Sequence, residues 1–166
     1  MKSHYGKIKL LTGTSHPELV NRVLLELQKH GQADLVNTSL TNFPDGEIST
    51  TVNDDVRGSD LFILQSLHSQ DGKRTIDEVE FLTDCIKHTA NRITGVFPWL
   101  GYSKQDRKTR PREAQSLRVI AKRLSNCGLN RVLLFDLHNS ATAAFFDIPF
   151  DHVYLMKLLV EKFMSR

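Results

Sequence analysis

The sequence predicts an α/β domain: a parallel-rich sheet with helices on both faces. Three observations support this. Short apolar runs, among them "KIKLLTG", "DLFILQS", "RITGVFPWL" and "RVLLFDL", alternate with segments whose apolar residues recur at helical spacing. Gly- and Pro-type stops separate the two kinds of segment. The chain of 166 residues, 40% apolar and 25% charged, is the right size and composition to bury one core, so a single domain is expected.

"KIKLLTG" reads as a first strand, and "HPELVNRVLLELQKHG" as a helix that Pro17 starts and Gly31 stops, with Leu19, Val20, Val23, Leu24 and Leu27 as its buried stripe. "DLVNTSLTNF" and "EISTTVN" read as strands around the turn-forming "PDG", and "DLFILQS" as the next buried strand. Residues 73–90 place Ile76, Val79, Leu82, Cys85 and Ile86 on one helical face. After the strand "RITGVFPWL", a helix from about Glu113 is expected to bury Ala114, Leu117, Ile120, Ala121 and Leu124. "NCGLN" stops that helix, "RVLLFDL" is the last central strand, and "YLMKLLVEKFMSR" is a closing helix.

Composition narrows the function. A formal charge of +3 does not make the whole surface a polyanion magnet, and no broad basic face for nucleic acid is evident. No apolar stretch approaches the ~20 residues of a membrane span, and "MKSHYGKIKL" has no signal-peptide core, so a soluble cytoplasmic protein is expected. Cys85 and Cys127 lie in helix-like apolar patterns without metal-ligand spacing and are read as reduced core residues.

In open α/β sheets, ligands gather at the carboxyl ends of the strands. Two segments fall there. "GYSKQDRKTRPRE" concentrates Lys104, Arg107, Lys108, Arg110 and Arg112, interleaved with Tyr102, Gln105 and Asp106. It suits a loop that grasps a phosphorylated ligand, and charge runs are also commonly solvated faces. "DLHN" places Asp136 and His138 two apart, on the same side of an extended chain. Such a pair can hold a divalent metal or move protons, and a rim histidine bonded to backbone is the plainer alternative. A third segment, "NFPDGEIS", presents Phe43, Asp45 and Glu47 around a turn. Its aromatic face could stack on a base while the carboxylates accept from an exocyclic amine, and a hairpin with a tucked Phe is the alternative.

Taken in order, "GTSHPEL", "FPDGE", "NDDVRGSDLFILQS", "GYSKQDRK", "RVLLFDLH" and "FFDIPFDHVY" resemble the N-terminal half of the ribose-phosphate pyrophosphokinase (PRPP synthetase) family, from about Lys9 to Val160. The resemblance implies a phosphoribosyltransferase-like domain over residues 1–154, with 155–166 beginning a helix that leads toward a second domain. It implies a magnesium-dependent transfer of the diphosphoryl group of ATP to ribose 5-phosphate, in an enzyme that is usually a homohexamer. By matching positions, Phe43 would stack on adenine, with Asp45 and Glu47 recognising it from a neighbouring subunit. Lys104 and Gln105 would contact ATP, Arg107 and Lys108 would face the reacting phosphates, and His138 would ligate Mg2+.

The departures are specific. Lys104 stands where the family has Arg, Ala114 and Gln115 interrupt the family's "EPI", and "HNSATAAFF" lacks the glutamines that usually follow "DLH". The family's aspartate-rich loop for ribose 5-phosphate has no counterpart in these 166 residues. Two expectations therefore stand together: an ATP-side half of the enzyme, inactive alone, or a non-catalytic nucleotide-binding or regulatory relative.

Overall fold

The computed structural model describes residues 4–31, 33–67 and 72–165. Strand β1 (Ile8–Leu11) leads into helix α1 (Pro17–His30), and β2 (Ala33–Leu35) returns alongside it. A hairpin of β3 (Thr38–Asn42) and β4 (Ile48–Val52) follows. Next come β5 (Asp60–Leu64), α2 (Gly72–Ile86), β6 (Arg92–Phe97), α3 (Ser116–Asn126) and β7 (Arg131–Phe135). A 3₁₀ segment (Ser140–Phe145), β8 (Phe150–Val153) and α4 (Met156–Met164) complete the described chain.

The six-stranded sheet runs β2-β1-β5-β6-β7-β8, with every neighbouring pair parallel. All its strands therefore end on the same edge. The loops after β6 and β7 emerge side by side there, because Thr94 pairs with Arg131 and Phe97 with Leu134. The antiparallel β3–β4 hairpin stands apart from the sheet and packs on α2.

Strand alternation sorts the two faces. Leu11, Leu61, Ile63, Ile93, Phe97, Val132 and Leu134 point to one side and are no more than 2% exposed. They meet Ile76, Val79, Leu82 and Ile86 of α2 and Leu117, Ile120, Ala121 and Leu124 of α3 in a single cluster. At about 1.5–3 kcal/mol for each large side chain removed from water, this face supplies most of the stabilisation. Arg123 clamps α3 to α2: its Nε donates to Glu80 Oε1 at 2.9 Å, and its Nη2 to Glu80 Oε2 and Asp77 Oδ1 at 2.6 Å each. These partners, Glu80 first, hold the guanidinium well above its ordinary pKa.

The opposite face is covered by a helix as expected, but less completely. Ile8, Leu10, Phe62, Leu64, Val96 and Phe135 line an apolar groove of about 450 Å³. Helix α1 closes only one side of it, through Leu19, Val23 and Leu27, which are half-buried, whereas Val20 alone in that helix is fully buried.

At the amino ends of the strands, ion pairs link neighbours. Lys7 meets Asp34 at 2.5 Å, and Arg131 meets Asp151. Arg92 donates from Nε and Nη2 to the Asp60 carboxylate at 2.8 and 2.6 Å while stacking 4.0 Å above Tyr5.

Four local expectations need correction. Cys85 is exposed rather than core, because it faces the hairpin, where its Sγ approaches Thr50 O at 3.5 Å. Cys127 is only partly buried and caps α3. Ala114 is exposed and precedes that helix, which begins at Ser116. "DLVNTSLTNF" is two strands, because Asn37 N turns to Asp54 Oδ2 at 2.7 Å and redirects the chain out of the sheet.

Candidate functional site

The basic loop is fixed at its root by close packing. Leu67 N donates to Trp99 O at 2.8 Å, and a Cβ on Gly101 would fall on the Leu67 carbonyl oxygen, so only glycine lets the β5 and β6 ends approach this closely. Its middle is held by the entry to α3. Leu117 N donates to Gln105 O at 3.2 Å and Gln115 Nε2 donates to Asp106 O. The distal turn caps itself, for one oxygen of Glu113 accepts from Thr109 N at 2.6 Å, Thr109 Oγ1 at 2.8 Å and Arg110 N at 2.9 Å. Those donors, the Thr109 hydroxyl foremost, keep the Glu113 carboxyl below the usual carboxylate range. Tyr102 and Arg112, at φ 63° and 62°, lie in the left-handed region near the two ends of the loop.

On this pinned backbone Lys104, Gln105, Arg107, Lys108, Arg110 and Arg112 are all exposed. Among the described residues no carboxylate forms an ion pair with any of the five cations. Concentrated, like-charged and unpaired, they favour a polyanion.

The "DLHN" segment is not the extended rim expected of it. Asp136 has φ 39°, so the chain leaves β7 through a left-handed residue, and the alternation that would align Asp136 with His138 does not apply. Instead the segment is tied down from β8 and the start of α4. Asp136 N donates to Val153 O at 3.1 Å, Leu155 N to Asp136 Oδ1 at 3.0 Å, and Leu137 N to His152 Nε2 at 3.0 Å. His138 remains exposed. Beside it Asn139 caps the 3₁₀ segment by accepting from Ala141 N at 3.0 Å, and its Nδ2 donates to Asp106 Oδ2 at 2.8 Å. That bond joins the basic loop to the "DLHN" loop. Among the described residues no group of three or more His, Cys, Asp or Glu side chains is arranged to hold a metal ion.

The hairpin tip is a tight turn. Gly46 at φ +90° completes it, with Phe43 N donating to Glu47 O at 2.8 Å and Gly46 N to Phe43 O at 3.0 Å. Asp45 Oδ1 accepts from Glu47 N at 3.1 Å, so one carboxylate oxygen shapes the turn, and among the described residues the other accepts no hydrogen bond. Phe43 is 47% exposed and is not tucked. Among the described residues no hydrogen bond links this tip to the basic loop or to "DLHN" of the same chain. Sequence reasoning thus gathered three segments, and one chain brings two of them together.

One constellation escaped sequence reasoning. Glu78, 1% exposed on α2, accepts from Thr14 N at 2.9 Å, Thr14 Oγ1 at 2.7 Å and Gln65 Nε2 at 2.6 Å. Gln65 Oε1 in turn accepts from Gly13 N at 3.2 Å and Ser15 Oγ at 2.9 Å. A Cβ on Gly13 would strike the Glu78 carboxylate, which explains the glycine. The network shapes the loop between β1 and α1, at the point where the strand order reverses. Its signal was a Glu beside Val79 on the apolar stripe of α2. Partial desolvation raises the thiol pKa of both Cys85 and Cys127.

Residues 8–128 match the N-terminal domain of ribose phosphate pyrophosphokinase. The chain belongs to that family. It is 39% identical over 155 residues to the ribose-phosphate pyrophosphokinase of Chlorobaculum tepidum, covering 93% of this chain and 46% of that one. It is 37% identical over 160 residues to the Vibrio parahaemolyticus enzyme, covering 96% of this chain and 50% of its relative. The crystal structure of phosphoribosylpyrophosphate synthetase from Mycobacterium smegmatis superposes with a TM-score of 0.88 at 34% identity, over 96% of this chain and 52% of that one. The fold is therefore the phosphoribosyltransferase-like α/β fold. The chain spans about half the length of the ribose-phosphate pyrophosphokinases it matches. No described helix is long and apolar enough to cross a membrane.

Proposed function

We propose that this chain provides the ATP side of a diphosphoryl transfer in which ATP and ribose 5-phosphate give 5-phosphoribosyl 1-diphosphate and AMP. The observation that carries the proposal is the basic loop: five unpaired cations on a backbone pinned by Gln115, Leu117 and Glu113 and joined to the "DLHN" loop through Asp106 and Asn139. A preorganised cationic loop neutralises charge that builds on transferring phosphates without reorganising at the moment of reaction. Lys104 and Gln105 bind the triphosphate, and Arg107 and Lys108 face the phosphates that react. Lys104 acts as a point charge in place of the family's arginine fork.

Phe43 stacks on adenine, and Glu47 and the free oxygen of Asp45 accept from its amino group. Because among the described residues no hydrogen bond joins the tip to either loop of its own chain, the hairpin serves the site of a neighbouring copy, in a homo-oligomer that is a hexamer in the family. Magnesium bound with a nucleotide takes most of its ligands from phosphate and water, so the exposed His138 fits as a single protein ligand even without a protein-built cage. There the ion would neutralise phosphate charge and orient the leaving group. A cytoplasmic setting accords with the substrates.

Calorimetric titration tests the assignment. Lys104→Ala and Gln105→Ala are expected to weaken ATP more than adenosine, by about 1.5–3 kcal/mol where the lost contact is partly buried. Phe43→Ala should weaken both ligands. Equal losses for ATP and adenosine in the loop variants would remove the loop from the site. Failure of the assembled wild type to bind ATP with magnesium would overturn the proposal.

A further inference from the structure

We propose that Asn139 is a positioning residue that latches the basic loop in its ligand-ready arrangement through Asp106. The inference rests on the reading above that this loop grips ATP, and it adds a device within the "HNSATAAFF" segment, which departs from the family pattern.

The geometry is restrictive. Asn139 bonds through both ends of its amide: Oδ1 accepts from Ala141 N at 3.0 Å and Nδ2 donates to Asp106 Oδ2 at 2.8 Å. The orientation is fixed by chemistry, since the Ala141 N–H needs an acceptor and the Asp106 carboxylate needs a donor. The side chain therefore caps the 3₁₀ segment and holds the basic loop together. Asp106 is the right point to hold. Its backbone carbonyl already accepts from Gln115 Nε2, and it separates Gln105, bound through its carbonyl to Leu117 N, from Arg107 and Lys108.

The "DLHN" end of the latch is itself anchored, through Leu137 N to His152 Nε2 and Leu155 N to Asp136 Oδ1. The chain thus runs from β8 through "DLHN" and Asn139 to Asp106, and fixes His138 relative to the phosphate-facing cations. Without the latch, the hydrogen bonds of the stretch from Arg107 to Arg112 among the described residues are those with Glu113, which tie it to itself and not to the site.

The test uses the 166-residue chain and three trypsin-sensitive cations of the loop, Arg107, Lys108 and Arg112, since Pro111 blocks cleavage after Arg110. Asn139→Asp keeps the capping oxygen but sets a carboxylate against Asp106. Adding Asp106→Asn reverses the donor and acceptor and restores the bond. Losing one charge-assisted hydrogen bond at an exposed site and gaining a like-charge contact should speed initial cleavage in the loop about three- to tenfold and weaken ATP by a similar factor, leaving adenosine unchanged. The double variant should return both to within about twofold, which a purely structural role for Asn139 would not produce.

Asn139→Asp behaving like wild type in both assays overturns the latch, as does a double variant that fails to recover while melting like wild type. Faster cleavage with unchanged ATP affinity overturns the positioning role. If Asn139→Asp does not fold, Asp106→Ala removes the acceptor of the Asn139 amide without adding a trypsin site, and wild-type cleavage there refutes the latch. Normal rescue of cleavage with no ATP binding by the wild type would instead leave the latch standing and refute the ATP reading.

Discussion

Replacing Glu78 by alanine or by glutamine should separate the roles of its charge and its hydrogen bonds. In the Ala variant Gln65 Nε2 loses its acceptor. Gln65 is 1% exposed and cannot turn away, because its Oε1 is engaged by Gly13 N and Ser15 Oγ. A buried donor left unpaired costs about 1–3 kcal/mol. Thr14 is exposed, so its two freed donors find water and add roughly 0.5 kcal/mol each. The missing methylene adds about 0.8 kcal/mol. Partial water entry offsets some of this, so Glu78→Ala should cost about 2–4 kcal/mol, near 5–15 °C in melting temperature for a chain of this size.

Glutamine should cost far less. Glu78 Oε2 accepts from both Thr14 N and Gln65 Nε2, while Oε1 accepts only from the Thr14 hydroxyl. An amide oxygen in the first position keeps two bonds, and an amide nitrogen in the second donates to Thr14 Oγ1 once that hydroxyl rotates. Glu78→Gln should therefore lie within about 1 kcal/mol of wild type. Urea unfolding at constant m-value is the measurement. Equal destabilisation by Gln and Ala would show that the buried charge matters, not the bond pattern, and refute the reasoning. An Ala variant within about 1 kcal/mol of wild type would show the network to be dispensable.

Asp60→Asn should destabilise by about 2–3 kcal/mol in the same assay, because it leaves Arg92, 24% exposed, with half of its bidentate partner. At the loop, the lowered Glu113 pKa means that the Thr109–Arg110 cap is complete above the unfolded carboxyl value and is lost as pH falls through the lower folded value. Amide shifts of Thr109 and Arg110 should therefore hold steady through pH 5 and move together only below about pH 4.5, and Glu113→Gln should abolish that transition. Light scattering well above micromolar concentration should find the chain self-associated, since a hairpin that serves a neighbour requires one, and a strictly monomeric chain would count against that. Tested by itself, the 166-residue chain should give no PRPP, because no segment in it resembles the family's pentose-phosphate loop. Turnover would locate a pentose site within these residues.

The central strands and the α2 and α3 stripes were legible because two-sided burial writes continuous apolar runs and helical burial writes a clear period. β8 was not, since "FDHV" carries Asp151 and His152 inside a four-residue edge strand, and its polar residues are explained only by partners on β7 and "DLHN". The same reason hid the left-handed Asp136: spacing says which side chains align on an extended chain, not where the chain stops being extended. The basic loop was visible as composition, but its order was not. Gln115 and Asn139, the residues that hold it from outside, read in sequence as departures from a family pattern rather than as contacts.

The fold separates two uses of charge that a net value of +3 conceals. At the amino ends of the strands, Lys7 with Asp34, Arg92 with Asp60 and Arg131 with Asp151 cancel in pairs, and each pair spans two strands, so their charge is used up in stitching the sheet. At the carboxyl ends, the loop after β6 carries cations without such partners, while the carboxylates among them, Asp106 and Glu113, accept from amides and hydroxyls instead. This arrangement gives both loop acids a reason. Each holds backbone in place through neutral donors, so neither neutralises a cation that a phosphate would need. A cation held in an internal pair would have to be freed at each binding event, and a cation beside an acid that is bonded to neutral donors avoids that penalty.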